Sequence, residues 1–392
     1  MIPLVRDTID KDDIDNLIEW LRTYPRLTKG ELTDQYESMW AEFLGSKYAV
    51  YVNSGSSANL LMLYSLIAAG HLSKGDSVIV PAVSWATDLA PVVQLGLEPV
   101  LCDCNMDDLS VDVEKLDTHI KQHKAKCVIL VSVLGLVPNM EKIVKICEEN
   151  GAILLEDSCE SLGSKFKDKK LGTFGLMSSF SMYFGHHMST IEGGMVCTND
   201  NDMYNMLKCL RSHGCDRDLD EEYRQALRKK YPSSDFENLY KFYYHGFNFR
   251  PTDLQAFIGI QQIKKIDSVI EARHRNYLLY CELFRNFHWE SQKQIEGIYI
   301  SNFAYPVIHP NREEIVAELA KEDIAARPLI CGSLELQPFW SSSPLHFAAK
   351  KKAIPKHKNA HLVNDFGFYV PNNHQITEQE IRKICSVMNK FT

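Results

Sequence analysis

Seven short aliphatic runs, bounded by turn residues and alternating with helical stretches, limit what this chain can fold into more than any other feature. Residues 49–52, 77–81, 98–103, 127–133, 152–157, 178–182 and 195–198 read as buried strands. Helical patterns over 57–69, 113–123 and 140–149 lie between them. Strands apolar on both faces and joined by helices pair in parallel, with helices covering the sheet. The expectation is therefore an α/β fold, with a mostly parallel central sheet and helices on both faces. Residues 216–244 break the rhythm with charge and tyrosine around Pro232-Ser233-Ser234. They read as an insertion or lid, or as a plain solvated excursion. From about Arg250 one helix is expected through Asp253 to Arg275, followed by a strand over 299–308 and a helix over 313–322. The resulting division is a large domain, 1–250, and a smaller C-terminal α+β domain, 251–392.

Composition narrows the function. With 45% hydrophobic and 24% charged residues the chain is ordinary for a globular protein. A net charge of −8 speaks against a nucleic-acid partner, which usually demands a basic stripe. The eleven cysteines are odd in number and form no CxxC pair. Cys102-Asp103-Cys104 is one residue tighter than the common zinc spacing and lies in an apolar run, so buried free thiols are expected and no metal site. The reading is a reduced, cytoplasmic enzyme. The start of the chain lacks an apolar signal core, and the longest apolar runs, such as 60–70, are too short to cross a membrane.

Five features point to chemistry, and each has an ordinary structural reading beside it. Asn53-Ser54-Gly55-Ser56-Ser57 follows a strand and opens a helix, where backbone N–H groups and the helix dipole favour an anion; a serine-capped helix start is also commonplace. Asp157 ends a strand and opens into the crevice where α/β sheets bind ligands, or caps the next helix. Ser181-Met-Tyr-Phe-Gly-His186-His187, with Glu192-Gly193-Gly194 six residues on from His186, offers a hydroxyl and a proton-transfer group; buried histidine pairs are usually structural, and the glycines serve as turn formers. Trp85 follows a strand end, free to stack on a ring or to pack in the core. Gly246-Phe-Asn248-Phe-Arg250-Pro251 places an amide between aromatics, to reach a ligand or cap the next helix.

Taken in order and spacing, these segments resemble the DegT/DnrJ/EryC1/StrS family of nucleotide-sugar enzymes that use pyridoxal phosphate (PLP), from about residue 20 to the C-terminus. The resemblance implies an aspartate aminotransferase-like PLP fold type I. It implies Asp157 at the pyridine nitrogen, Gly55, Ser56 and Ser181 at the phosphate, Asn248 reaching that phosphate from the partner of a homodimer, Trp85 on the ring, and Glu160 near the ring hydroxyl, where relatives usually carry glutamine. His213, Arg217 and Arg327 are candidates for the sugar nucleotide or glutamate carboxylates; for His213 and Arg217 a cation at a helix C-terminus is the plain alternative.

The departure from the family is His186, standing where a lysine would hold PLP as an imine. Imidazole cannot form that bond but moves protons near neutral pH, with an ordinary pKa of about 6.5 against about 10.4 for lysine. Within the family this change implies a sugar 3-dehydratase that binds PLP or its amine form, PMP, non-covalently, takes its amine from L-glutamate, and has His186 as acid and base. The implied substrate is a nucleotide-linked 4-keto-6-deoxy sugar, with GDP-mannose chemistry the nearest likeness. An ordinary aminotransferase and an inactive sugar-nucleotide-binding relative are the alternatives. Iron–sulfur relatives need about four thiolates brought together, and the cysteine spacing shows no such set.

Overall fold

The computed structural model describes residues 1–284, 297–342 and 357–391. Its centre is a seven-stranded sheet of β1 (Tyr48–Val52), β2 (Ser77–Pro81), β3 (Glu98–Cys102), β4 (Cys127–Val131), β5 (Ile153–Asp157), β8 (Met177–Ser181) and β9 (Gly194–Thr198). A short hairpin, β6 (Lys165–Phe166) and β7 (Lys169–Lys170), interrupts the series. The spatial order is β1-β9-β8-β5-β4-β2-β3, and β9 alone runs against the rest.

Alternation within the strands covers both faces. Val50, Val52 and Val196 join a core with Ala58, Leu61 and Met62 of the helix Gly55–Ala68. Their neighbours Ala49, Tyr51, Met195 and Cys197 face the other way, onto Tyr36 and Trp40 of the helix Glu31–Leu44 and Ala256 and Ile260 of the helix Asp253–Ile263. Each strand is thus buried twice, which is why its sequence is nearly all apolar. Arg211, fully buried, ties these layers: its guanidinium pairs with Glu37 and donates to Tyr51 O at 2.7 Å.

Beyond the central sheet, β10 (Ile298–Tyr299) joins the β6–β7 hairpin. β11 (Tyr305–Ile308), β12 (Arg327–Pro328) and β13 (Gly367–Val370) form a small antiparallel sheet. Residues 216–244 carry two short helices, Glu221–Lys230 and Asp235–Asn238.

Two expectations change. The single helix from Asp253 to Arg275 is two, Asp253–Ile263 and Ile266–Leu283. Lys265, between them, donates to Asp10 at 2.7 Å and Asp13 at 2.6 Å, so the first helix stays on the sheet while the second runs to the helix Glu378–Met388. The single strand over 299–308 is also two, in different sheets. Between them the chain bends so that Ser301, Asn302 and Phe303 offer their carbonyls to His187 and Arg273, which a continuous strand would not allow.

Candidate active site

The carboxyl ends of β1, β2, β5 and β8 open on one edge of the sheet, where α/β folds bind ligands. A cavity of about 400 Å³ lies there, lined among others by Gly55, Ser56, Trp85, Asp88, Asp157, Glu160, Ser181, His186 and Tyr369.

At one end of the cavity, Ser54 caps the helix Gly55–Ala68 through Ser57 N, leaving the N–H groups of Gly55 and Ser56 without intrahelical partners. The first turn carries no acid, so the positive end of the helix is not neutralised. Ser181 closes in so tightly that a Cβ on Gly55 would lie 2.7 Å from its Cβ. Free N–H groups at a helix terminus beside a hydroxyl can take an anion.

At the opposite wall Asp157 is buried. Its Oδ1 accepts from Cys159 N at 2.9 Å and its Oδ2 from Asn59 Nδ2 at 2.7 Å; Ser179 Oγ orients Asn59 at 2.5 Å. The same Asn59 amide donates to Asp88 Oδ1 at 3.3 Å, while Asp88 Oδ2 is buried without a partner. Burial, and then the Asp157 charge, push the Asp88 carboxyl well above the carboxylate range, because two neighbouring carboxylates without a cation do not both ionise. Glu160 is pushed up to about 8 by burial and Asp157, against a 2.7 Å bond from Leu134 N. The wall therefore sets Asp157 beside two acids, Asp88 and Glu160, that stay protonated near neutral pH. That suits a protonated pyridine nitrogen.

His186 faces this wall. Its ring lies 5.3 Å from Phe303, its Nδ1 is unpartnered, and it is pushed down to about 4 by burial, with Asp157 opposing and Arg273 assisting. His187 is different in kind. Fully buried outside the cavity lining, it donates from Nε2 to Ser301 O at 2.9 Å and anchors the loop. Trp85 is 55% exposed at the cavity edge, so it is no core residue. The glycines after Glu192 do more than turn the chain: Gly194 begins β9, and a Cβ there would strike Ser54 O at 2.2 Å.

Four sequence candidates lie outside the cavity lining. Asn248 is exposed, bridging to Ser212 outside the cavity of its own chain. His213 and Arg217 line a separate surface groove with Arg26, Tyr240 and Arg250. Arg217 there donates to Leu239 O at 2.7 Å and sits over the Tyr240 ring. Arg327 is exposed in β12, in register with Tyr369 of the cavity wall. Sequence reasoning missed Asp88, Asn59, Tyr369 and Arg273. Asp88 reads as an ordinary acid in the first turn of the helix Ala86–Gln94, and only its approach to Asp157 in the fold reveals it.

The model of the DegT/DnrJ/EryC1/StrS aminotransferase family matches residues 7–389. The chain is similar, at 36% identity over 400 residues, to the GDP-4-keto-6-deoxy-D-mannose 3-dehydratase of Yersinia pseudotuberculosis, with 99% of this chain and 98% of that protein covered. It superposes with a TM-score of 0.88 and 33% identity on a crystal structure of GDP-4-keto-6-deoxymannose-3-dehydratase with a trapped PLP-glutamate geminal diamine, covering 99% and 100% of the two chains. A histidine-to-asparagine mutant of that enzyme with bound GDP-perosamine gives 0.87 and 32%, over 99% and 100%. The central sheet with its helices is the aspartate aminotransferase-like PLP fold type I. By the length of these matches, this chain belongs to the DegT/DnrJ/EryC1/StrS aminotransferase family.

Proposed function

We propose that this chain catalyses the PLP- and glutamate-dependent 3-dehydration of GDP-4-keto-6-deoxy-D-mannose, in the cytoplasm, to the 4-keto-3,6-dideoxy sugar from which colitose is made. The turnover balances: keto sugar and glutamate give dideoxy sugar, 2-oxoglutarate and ammonia. The carrying observation is that, among the described residues, an imidazole and no lysine faces the strand-end carboxylate in the cavity. The cofactor supplies an amine for the C4 ketone and an electron sink that lets the C3 hydroxyl leave.

The chain's own residues do the rest. Gly55, Ser56 and Ser181 hold the phosphate by the helix terminus and a hydroxyl. Asp157 holds a proton on the ring nitrogen, Trp85 covers the ring, and Glu160, as an acid, faces the ring hydroxyl. His186, neutral before the reaction, takes a proton beside the ring and returns it to the departing hydroxyl; such help is typically worth about 10²–10⁴ in rate. Without a lysine the cofactor stays non-covalent, and release of product is by water. An ordinary aminotransferase lacks its amine among the lining residues.

The chain works as a homodimer, in which Asn248 reaches the phosphate of the neighbouring subunit. His213 and Arg217, outside their own cavity, serve the neighbour's sugar nucleotide or glutamate, and Arg327 serves the cavity of its own chain beside Tyr369. The exposure of Asn248 supports this reading. The large unit, 1–250, holds the cofactor, with residues 216–244 as an insertion or lid, and 251–392 forms the smaller C-terminal unit.

Mass spectrometry on protein given PLP, glutamate and GDP-4-keto-6-deoxy-mannose tests the reading. The expected product has C3–OH replaced by C3–H and retains its ketone. An amine at C4 would instead establish a transaminase.

A further inference from the structure

Arg273 lies on the helix Ile266–Leu283, 2% exposed, directly behind the loop that carries His186. A buried guanidinium is normally paired with a carboxylate, since an isolated buried charge is costly. Here, among the described residues, every partner is a carbonyl. Its Nη1 donates to Asn372 O at 2.5 Å, Phe303 O at 2.8 Å and Asn302 O at 3.4 Å, and its Nη2 reaches His186 O at 3.5 Å. Its Nε is unpartnered. Its positive charge therefore stays uncompensated, on the side of His186 opposite the acid wall.

The groups facing the His186 imidazole fall into two sets. Asp157 and a backbone hydrogen bond at Cys159 favour an imidazolium; burial first, and then Arg273, oppose it, while Asp88 and Glu160, held protonated beside Asp157, add no charge. A histidine that took up a proton before any substrate arrived would be useless as a base; burial opposes that first, and the Arg273 charge second.

We propose that Arg273 is a positioning residue for the reaction: its hydrogen bond to His186 O ties the loop carrying that imidazole to the carbonyls of Asn302, Phe303 and Asn372, and its uncompensated charge adds to burial in keeping the imidazole unprotonated. An imidazole held in this way is a weak base before the proton transfer and a strong acid after it. That is what one group must be to take a proton beside the ring and deliver it to a departing hydroxyl. The environment of the other imidazoles agrees, since Arg273 also presses His187 and His374 toward their neutral forms, in each case after burial.

The inference rests on His186 being the acid and base, but its test does not need turnover. Histidine-labelled holoenzyme is titrated by NMR, with the His186 signals identified by their loss in His186→Asn. In the wild type His186 is expected to titrate well below the ordinary imidazole range. Arg273→Met should raise its proton affinity by roughly tenfold, one pKa unit, while Arg273→Lys keeps it low. The acid limb of kcat should move with it. If Arg273→Met fails to fold, Arg273→Gln, which retains an amide donor for the carbonyls, gives the same reading. An unchanged His186 titration in a folded, charge-removed variant would overturn the proposal, as would an ordinary His186 titration in the wild type. Failure of the dehydratase reading would show in the product and leave the titration as it is.

Discussion

His186 and Glu160 show how the same residue types acquire different duties from burial. Adjacent histidines separate into a group in the cavity and a loop anchor, because His186 lines the cavity while His187 turns away from it to the carbonyl of Ser301. Glu160 is pushed from 4.5 up to about 8 in the folded chain, by burial first and the Asp157 charge second. Between those two values the folded chain holds a proton that the unfolded chain has lost. Stability should therefore fall as pH rises from about 4.5 to about 8, and level off above. Glu160→Gln stays neutral throughout. Calorimetry on the cofactor-free protein should find the variant's Tm close to wild type below about pH 4.5 and higher than wild type above about pH 8. A gap that does not change with pH would mean Glu160 is ionised in the folded state.

At the scale of elements, the proposed phosphate cradle exists because a helix start and a strand start touch. The helix Gly55–Ala68 is apolar enough to be buried nearly all round, and β9 lies close enough to its first turn that only glycine fits at 194. A Cβ there would fall 2.2 Å from Ser54 O and 2.6 Å from Gly55 N. Gly194→Ala must push the helix terminus away from Ser181. PLP affinity, measured by fluorescence titration, should drop on the order of tenfold, about 1.4 kcal/mol. Unchanged affinity would move the phosphate elsewhere. The two elements that differed from the sequence reading failed for a related reason. The break at Lys265 is held by Asp10 and Asp13, some 250 residues earlier, and the bend at Ser301–Phe303 by His187 and Arg273; no local pattern announces either.

At the scale of the molecule, the cavity holds Asp157, Ser181 and His186 but leaves Asn248, His213 and Arg217 outside. A site completed by a second copy has a direct consequence. His186→Asn and Asn248→Ala, each feebly active alone, should recover activity when mixed and allowed to exchange subunits, because one of the two shared sites is then intact. No recovery, with exchange confirmed by mass-tagged subunits, would confine the site to one chain.

What the sequence determined by itself is what depends on neighbours along the chain. The seven strands follow from aliphatic runs, the start of the helix Gly55–Ala68 from Ser54-Gly55-Ser56, and the His186 substitution from its spacing to Ser181 and Gly194. What only the tertiary structure decided is charge and partnership. Asp88 became a buried acid because its helix lies against Asp157, and Arg273 became an unpaired cation because four carbonyls converge on it from three distant segments. Periodicity and turn chemistry act over a few residues, whereas desolvation and Coulomb forces act through space, between groups that only the fold brings together.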